Sequence, residues 1–247
     1  MEITLHQTGP SNLPRIYKDC YRSWDDKLFK YKFYDDKDLE ELIKTKLPEN
    51  YNFYMKLRKI EKIDFVRYVM MYHYGGIYAD MDTILKDISY IRKIFNLNNK
   101  IIIGIEFNKL RFHAAQSILI STSKHNRFWL DLISYIVKNY DKDKYITYNT
   151  GPDMYTSFLK QYGYRYDILY DEKLLKVIRH VKTGSWKISE YKKLNKECLI
   201  CNNNPFLCFC YNYKWYKSSN FIYFNYKLLI IFGVSFLIYL NRNIFIN

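Results

Sequence analysis

Apolar residues recur with two periods along this chain, and the change of period predicts helices that alternate with strands. Phe29–Tyr34 alternates aromatic and charged residues, which is typical of a strand with one buried face. From Phe53 to Tyr74 the apolar residues follow helical spacing, which predicts one long helix that Gly75 ends with a left-handed backbone. Lys100–Phe107 is a mostly apolar run of the kind found in buried strands. This alternation predicts an α/β fold with a largely parallel sheet.

The same patterns predict the shorter elements. Asp36–Pro48 has helical spacing, and the proline ends the helix because it cannot continue one. Ala114–Ser121 and Asn126–Tyr140 are also predicted to be helices, and another helix follows the turn at Gly151. Short strands are predicted at three further places, namely residues 2–8, 77–80 and 166–186.

The composition changes near Asn195, which suggests a boundary. We expect one domain over residues 1–197, a linker rich in cysteine and asparagine over 198–220, and a hydrophobic helix over 221–240. An apolar run of this length is enough to cross the hydrocarbon core of a bilayer, so a membrane anchor is predicted. The alternative is a core helix that packs back on the domain.

The position of the predicted anchor bears on localisation. A C-terminal anchor would leave the preceding domain on the cytosolic side, and the lysines that precede the apolar run favour the same orientation by the positive-inside bias. The opening residues lack the basic and apolar regions of a secretory signal peptide. The sequence therefore predicts a membrane-associated protein whose domain faces the cytosol.

A group of cysteines lies just before the hydrophobic run. Cys198, Cys201, Cys208 and Cys210 are close together, and Cys20 is alone. Zinc binding is one interpretation, although the last two cysteines are too close for an ordinary structural site. Acylation beside a membrane segment is another. We favour a third, in which these are unremarkable cysteines of a C-terminal extension.

The charge of the chain bears on its partners. The formal net charge of +14 favours anionic partners such as nucleotides, nucleic acids or anionic lipids. The lysines are scattered rather than grouped, and the sequence contains no nucleic-acid-binding motif. We therefore expect no nucleic-acid partner.

Two carboxylates, Asp80 and Asp82, follow the two glycines in the strand predicted there. In an extended strand, residues two apart share a face, so Tyr78 and both aspartates would lie together while Met81 points into the core. Two carboxylates on one face repel each other and are costly to desolvate, and a divalent cation offsets both effects. Oxygen ligands suit Mg²⁺, Ca²⁺ or Mn²⁺, and such an ion usually keeps open positions for the phosphate oxygens of a substrate. The alternative is a solvated pair that caps a turn.

The preceding predicted helix carries a charged pair in an apolar setting. Asp64 and Arg67 are three residues apart and therefore share one helix face. One interpretation is an intrahelical ion pair without further function. The other is a pair that binds hydroxyl groups at the mouth of the same cleft.

These residues resemble a known signature. Asp64-x-x-Arg67-Tyr68, followed by Tyr74-Gly75-Gly76-Ile77-Tyr78-x-Asp80-x-Asp82, is similar to the central motif of glycosyltransferase family 32. That family contains sugar transferases with a DXD motif, such as fungal α-1,6-mannosyltransferases and capsular polysaccharide transferases. Further segments resemble the family in the same order: His6-Gln7-Thr8, Gly104-Ile105-Glu106, Asn149-Thr150-Gly151-Pro152, His180 and Gly184-Ser185-Trp186. The resemblance covers residues 1–190.

The resemblance implies a GT-A fold, which is a single Rossmann-like α/β domain that binds a nucleotide-sugar donor. It implies that Asp80, Asp82 and His180 hold Mn²⁺ or Mg²⁺, and that Asp80 also touches the ribose or the sugar. It implies donor contacts for a larger set of residues: His6, Gln7, Thr8, Asp64, Arg67, Tyr78, Ser185 and Trp186.

The chemistry of sugar transfer agrees with these roles. When a nucleoside diphosphate leaves the anomeric carbon, negative charge develops, and a divalent ion and basic groups stabilise it most strongly at that moment. The family retains the anomeric configuration, either through a covalent nucleophile or through same-face attack assisted by the leaving phosphate. Glu106 and Asp153 are candidate nucleophiles by position only, and we favour a structural role for both.

We therefore predict a metal-dependent, retaining hexosyltransferase that moves a sugar from a UDP- or GDP-sugar to a glycan, lipid or protein acceptor. A catalytically inactive GT-A domain that serves as a membrane-tethered binding module is the alternative. The intact charged motif residues argue against it. A metal-dependent phosphotransferase or hydrolase on another α/β fold is a third hypothesis, and the Gly-Gly-x-Tyr-x-Asp-x-Asp run argues against that one.

Overall fold

A computed structural model of the chain describes residues 2–10, 17–108 and 111–181, and the side chains of 106–108 and 111 are not described. Within these ranges helices and strands alternate. The strands are β1 (Ile3–Thr8), β2 (Phe29–Tyr34), β3 (Gly76–Ala79), β4 (Thr83–Leu85), β5 (Ile101–Asn108), β6 (Arg111–Ala114), β7 (Ile118–Ser121), β8 (Ile168–Asp171) and β9 (Ile178–His180). The helices are α1 (Lys18–Arg22), α2 (Asp36–Lys46), α3 (Tyr51–Lys56), α4 (Lys59–Tyr74), α5 (Ile88–Phe95), α6 (Arg127–Asn139), α7 (Ile146–Asn149), α8 (Pro152–Tyr162) and α9 (Leu174–Val177).

The described strands form a seven-stranded sheet and a separate two-stranded one. The large sheet has the order β2-β1-β3-β7-β5-β6, and β8 pairs with β5. β1, β2, β3, β5 and β8 run in one direction, and β7 and β6 run in the other. The predicted α/β fold with a mostly parallel central sheet is therefore confirmed. The two-stranded sheet pairs β4 with β9.

The sheet is covered on both faces because its apolar residues alternate between the two sides. Ile101 and Ile103 pack in a core cluster with α2, α4, α6 and α8, whereas Ile102 packs in a second cluster with α5 and α9. In the same way, Leu119 packs in the first cluster, and its neighbours Ile118 and Ile120 pack in the second. This period of two is what a strand buried on both faces requires.

The helix that carries the Asp64–Arg67 pair is buried on nearly every side. Residues 65–71 of α4 are almost completely inaccessible, apart from traces at Arg67. A helix that is apolar all round belongs in a core, and α4 packs against α6, α2 and the sheet. The two charged residues on it therefore lie deep in the protein.

The prediction of one helix over Phe53–Tyr74 is wrong in one respect, because the chain forms two helices there. α3 ends at Lys56, and Leu57 and Arg58 are extended. The Arg58 amide donates to the Glu61 carboxylate at 2.9 Å, which caps the start of α4. Helical periodicity continues across this break because both helices turn an apolar face to the same core.

The prediction of a helix over Ala114–Ser121 is also wrong. Residues 118–121 form β7, which lies between β3 and β5 and is antiparallel to both. All four residues are buried, so a short apolar run here indicates a central strand. A run of this length does not distinguish the two structures by periodicity alone.

Two glycines allow β3 to lie close to β1. Gly75 and Gly76 have φ angles of +60° and +82°, a region that glycine adopts without steric cost. A Cβ at Gly76 would lie 2.2 Å from the Thr4 carbonyl oxygen on β1. Gly75 ends α4, as predicted, and the turn then places the following acids at the carboxyl end of the sheet.

The predicted linker over 198–220 and the hydrophobic helix over 221–240 lie outside the described residues, so both remain predictions. Across residues 2–10, 17–108 and 111–181, no helix has the length and apolar character needed to cross a membrane.

Candidate active site

Asp80 and Asp82 lie in a turn that follows β3. The Asp80 amide donates to the Ser117 carbonyl at 2.9 Å, which ties the turn to the segment before β7. The Thr83 amide and hydroxyl both donate to the Asp80 carbonyl, at 3.1 and 2.6 Å. These bonds close the turn and begin β4.

The turn changes which side chains share a face. The prediction that Met81 points into the core is wrong, because its side chain is half-buried and lies over Gly9. A Cβ at Gly9 would come within 2.2 Å of the Met81 sulfur. Asp80 and Asp82 still converge, but a turn brings them together and not the pleat of a strand.

His180 joins the two carboxylates through the pairing of β4 with β9. Thr83 is opposite His180 in this ladder, and the Val181 amide donates to the Asp82 carbonyl at 2.7 Å. The His180 Nε2 atom lies 2.9 Å from Asp82 Oδ1 and 4.0 Å from Asp80 Oδ2. The short ladder therefore supplies the third polar side chain of the cluster.

Arg67 connects α4 to this turn. Its guanidinium lies 3.0 Å from Asp64 Oδ1 and 3.5 Å from Asp80 Oδ1, and it donates to the Gln116 carbonyl at 3.1 Å. The guanidinium carbon also lies 4.6 Å from the centre of the Tyr78 ring, which is a cation–π contact. One buried cation thus compensates two carboxylates from different elements.

Tyr78 fixes the orientation of Asp80. Its hydroxyl donates to Asp80 Oδ1 at 2.9 Å, so the Thr8 hydroxyl, 3.0 Å away, donates to the phenol oxygen. Burial raises the pKa of Tyr78, and the phenol therefore stays protonated and remains a donor. The side chain is only 1% exposed. The predicted contact between Tyr78 and a donor stays a prediction, and the structure shows that the hydroxyl contacts Asp80.

Asp64 is held on both carboxylate oxygens. Arg67 binds Oδ1, and the Thr150 hydroxyl donates to Oδ2 at 3.1 Å. The Gln116 amide donates to the Thr150 carbonyl at 2.8 Å and to the Tyr68 hydroxyl at 2.6 Å. The segment before α8 is thereby attached to the buried charged pair.

The electrostatics of Asp64 are dominated by burial. Burial raises its pKa to about 6, although Arg67 and the Thr150 hydrogen bond lower it and oppose that effect. A carboxylate with a raised pKa in a cleft is a recognised feature of functional sites.

The residues of the first strand are closely engaged within the protein. His6 donates from Nε2 to the Gly75 carbonyl and accepts from the Tyr34 hydroxyl at Nδ1, both at 3.1 Å. Burial lowers its pKa to about 4, so the ring is neutral. His6 supports the Gly-Gly turn and has no exposed surface for a donor to touch. The Gln7 amide donates to the Asp80 carbonyl at 3.3 Å.

Some predicted site residues fall beyond what the structure describes. Ser185 and Trp186 lie outside the described residues, and the side chain of Glu106 is not described. Donor contacts by Ser185, Trp186, Gln7 and Thr8 stay predictions. Asp153 lies in the first turn of α8 and is not part of the group formed by the two aspartates and His180.

Sequence patterns did not identify every residue that contributes to the cluster. The sequence marks Thr150 only as part of a Thr-Gly-Pro segment, and no pattern predicts its hydrogen bond to Asp64. Gln116 and Thr83 carry no motif at all. Both Gln116 and Thr150 contact α4 from distant parts of the chain, so local sequence patterns do not predict their contacts. The Thr-Gly-Pro segment is the only sequence signal that points to Thr150.

The cluster has the composition of a divalent metal site. Among the described residues, Asp80, Asp82 and His180 form a group whose ligand atoms all lie within 4.8 Å of one another. Carboxylate oxygens suit Mg²⁺ and Mn²⁺, and an imidazole nitrogen suits transition ions better than Mg²⁺. Two carboxylates and one imidazole therefore fit Mn²⁺ well.

Comparisons with known proteins bear on the same segment. Residues 10–103 match the family model described as glycosyltransferase sugar-binding region containing DXD motif. The chain is 28% identical over 182 residues to mannosyl phosphorylinositol ceramide synthase SUR1 of Saccharomyces cerevisiae. That alignment covers 64% of this chain and 41% of the relative, so the chain spans less than half of the relative's length. The family match includes the DXD segment on which the predicted resemblance rests, and confirms it.

A solved structure is also similar. The PaToxG glycosyltransferase superposes with a TM-score of 0.46 and 14% sequence identity, over 65% of this chain and 69% of that one.

Proposed function

We propose that this chain, whose residues 10–103 match the family model of a glycosyltransferase sugar-binding region containing a DXD motif, transfers a sugar from a nucleotide-sugar donor to a hydroxyl acceptor. The observation that carries the proposal is the convergence of Asp80, Asp82 and His180 beside the buried Asp64–Arg67 pair. A diphosphate needs a cation, which the two aspartates and His180 could hold, and a sugar needs hydrogen-bonding partners. The cation ligands lie beside the Asp64–Arg67 pair, because Arg67 contacts Asp80.

The diphosphate side of the proposal uses the DXD turn and His180. These three residues would hold a divalent ion, with Mn²⁺ favoured over Mg²⁺ by the imidazole. When bound, the ion would offset the negative charge that develops on the leaving nucleoside diphosphate. His180 would serve as a ligand in its neutral form through Nε2, the atom that lies 2.9 Å from Asp82 Oδ1.

The sugar side uses Asp64 and Arg67. Both side chains are more than nine-tenths buried, and each is fixed by several protein groups. A hydroxyl that binds there meets a carboxylate and a guanidinium that need little rearrangement. Such preorganisation lowers the entropic cost of reaching the reactive geometry.

The proposal includes retention of the anomeric configuration, as the resemblance implies. Nucleoside diphosphates are good leaving groups when their charge is compensated, so no side chain has to protonate them. Same-face attack, in which a phosphate oxygen of the leaving group takes the proton of the acceptor hydroxyl, requires no carboxylate nucleophile. We assign none.

The identities of the donor and the acceptor are proposed from the name of the aligned relative. The aligned relative is named for a mannosyl transfer to phosphorylinositol ceramide, so a mannose donor and a polyol-bearing lipid are our first candidates. UDP- and GDP-sugars are both included in the proposal, as are glycan and protein acceptors. Attachment to a membrane through residues 221–240 stays a prediction and would favour a lipid acceptor.

Donor hydrolysis tests the proposal directly. The full chain would be incubated with Mn²⁺ and a panel of UDP- and GDP-sugars, and release of nucleoside diphosphate would be measured. We expect release from one donor and its loss in Asp82→Asn. A matched control is Asp87→Asn, because Asp87 caps α5 and an asparagine caps a helix equally well.

Two results would contradict the proposal. One is the absence of release from every donor together with the absence of Mn²⁺-dependent nucleotide binding. The other is release at the wild-type rate in Asp82→Asn, since that would place the reaction elsewhere in the protein.

A further inference from the structure

We propose that His113 and Asp153 form a subsite that binds a hydroxyl group of the acceptor, next to the pair that binds the donor sugar. The inference rests on the proposed function, because it assigns the acceptor side of the same reaction. The ligand class is a neutral polyol, either a sugar or a cyclitol headgroup.

The two side chains lie close to each other at a place that a ligand can reach. His113 belongs to β6 and Asp153 to the first turn of α8, and His113 Nε2 lies 3.8 Å from Asp153 Oδ1. Their side chains are 36% and 35% exposed. The pair is therefore held in place by two elements while a third of each side chain remains open to solvent.

The carboxylate is set up to accept hydrogen bonds. Burial raises the pKa of Asp153, but hydrogen bonds from His113 and Thr147 outweigh it and lower the pKa overall. An ionised carboxylate accepts at both oxygens, and an imidazole can donate or accept. Together they can bind adjacent hydroxyls, which is the pattern that sugars and cyclitols present.

Two short segments connect the pair to residues that contact Arg67 and Asp64. Three residues after His113 comes Gln116, whose carbonyl binds Arg67. Three residues before Asp153 comes Thr150, whose hydroxyl binds Asp64. Three residues span at most about 10 Å, so both side chains of the pair start within that distance of residues that touch the donor-sugar groups.

A simpler explanation is available and makes different predictions. Asp153 lies at the start of a helix, where a negative charge is favourable, and the pair would then only stabilise α8. In that case its removal lowers stability slightly and leaves the choice of acceptor untouched. The acceptor subsite instead predicts a change in how the donor sugar partitions between water and an added polyol.

The experiment measures this partition. The full chain, Mn²⁺ and the active donor would be mixed with myo-inositol or methyl α-D-mannopyranoside, and transfer to the polyol would be divided by hydrolysis to water. We expect His113→Gln and Asp153→Asn to lower this ratio roughly tenfold or more, the effect of losing a hydrogen bond to a charged group. Thr147→Val should lower it less.

The matched control is Asp131→Asn. Asp131 is also a partly exposed carboxylate in an ion pair, with Arg127, but it belongs to α6. We expect its ratio of transfer to hydrolysis to equal that of the wild type. Thermal unfolding of each variant would show that it is folded before the ratio is compared.

The outcomes separate the inference from the proposed function. An unchanged ratio in both His113→Gln and Asp153→Asn overturns the inference alone, as does a wild-type chain that hydrolyses the donor but transfers to neither polyol. A wild-type chain that neither hydrolyses nor transfers overturns the proposed function, and the inference with it.

Discussion

The two sides of the candidate site are held in different ways. Asp64 and Arg67 lie on a long, buried helix, where they contact each other, the Gln116 carbonyl and the Thr150 hydroxyl. Asp82 and His180 lie at the ends of two short paired strands, and Asp80 and His180 keep about a quarter of their side-chain surface exposed. On the sugar side only Arg67 Nε lacks a hydrogen-bond partner among the described residues, whereas the diphosphate side gathers ligands that a cation would complete.

This difference indicates what each side contributes. A buried ion pair seldom adds stability, because the cost of desolvation is comparable to the attraction between the charges. The raised pKa of Asp64 shows that burial prevails over pairing at that carboxylate. We therefore propose that the pair serves binding and not stability. The following four predictions test the contrast between the two sides, from the largest effect to the smallest.

Removal of Arg67 should damage the sugar side most. Arg67→Met leaves the buried Asp64 and the partly exposed Asp80 without their shared cation, and breaking a buried pair from one side costs about 3–5 kcal/mol. We expect the free energy of unfolding, measured with urea, to fall by this amount. Donor hydrolysis should also be lost. Arg92→Met is the control, because Arg92 pairs with Asp26 at the surface and such pairs contribute about 0–1 kcal/mol. An Arg67→Met protein as stable as the wild type would contradict the proposed difference between the sugar side and the diphosphate side.

Addition of a cation should act on the diphosphate side. At a Mn²⁺ concentration of roughly 100 times the Kd, binding to the folded state stabilises it by about 2.7 kcal/mol. We expect Mn²⁺ to raise the Tm of the wild type and of Asp87→Asn, and to leave the Tm of Asp82→Asn unchanged. An equal rise in Asp82→Asn would mean that the ion binds elsewhere.

The sugar side should also show a characteristic pH dependence. Asp64 has a pKa of about 6 in the folded protein and about 3.9 when unfolded, so the folded state binds its proton more tightly. Its contribution to stability is fully present below pH ~4 and is lost as the pH rises through 6. The wild type should therefore gain stability relative to Asp64→Asn, on the order of 1 to 3 kcal/mol, as the pH falls from 7 to 4.

Asp87 provides a control of opposite sign for that measurement. Hydrogen bonds from the Ser89 hydroxyl and the Tyr90 amide lower its pKa. The wild type should lose stability relative to Asp87→Asn over the acidic part of the same range. Urea unfolding at several pH values would measure both differences, and a flat difference for Asp64→Asn would contradict the prediction.

The hydroxyl of Tyr78 supports Asp80 on the diphosphate side, and its removal should have the smallest effect on stability. Tyr78→Phe removes the bonds to Thr8 and Asp80, which costs about 1 kcal/mol. Mn²⁺ affinity should fall about 10-fold, as for other groups that orient a metal ligand. Tyr155→Phe is the control, because the buried Tyr155 hydroxyl has no partner among the described residues. Isothermal titration would measure affinity, and unchanged binding in Tyr78→Phe would separate Tyr78 from the metal site.

Elements of the fold could be predicted where a single local sequence pattern determines them. β2 has the bounds that its alternation predicts, and Gly75 ends α4 with the expected positive φ. The break between α3 and α4 escaped the pattern, because it depends on one capping bond between Arg58 and Glu61 and not on periodicity. β7 escaped it because four buried residues in a row carry no period.

The site was less accessible to sequence patterns than the fold. Spacing placed Asp80 and Asp82 together, but for the wrong reason, since the strand ends at Ala79. His180 could be connected to them only through a family resemblance. Gln116 and Thr150 could not be assigned at all, because their contacts with α4 depend on how distant segments meet after folding.

The three-residue pairing of β4 with β9 sets the order in which the site can assemble. Helices α5 to α9 and strands β5 to β8 lie in sequence between the DXD turn and His180. A ribosome must therefore release nearly the whole sheet before the third polar group can reach the first two. Closing so long a loop is slow, and three paired residues return little free energy for it. We expect the DXD turn to form early in synthesis and to acquire His180 as one of the last steps of folding.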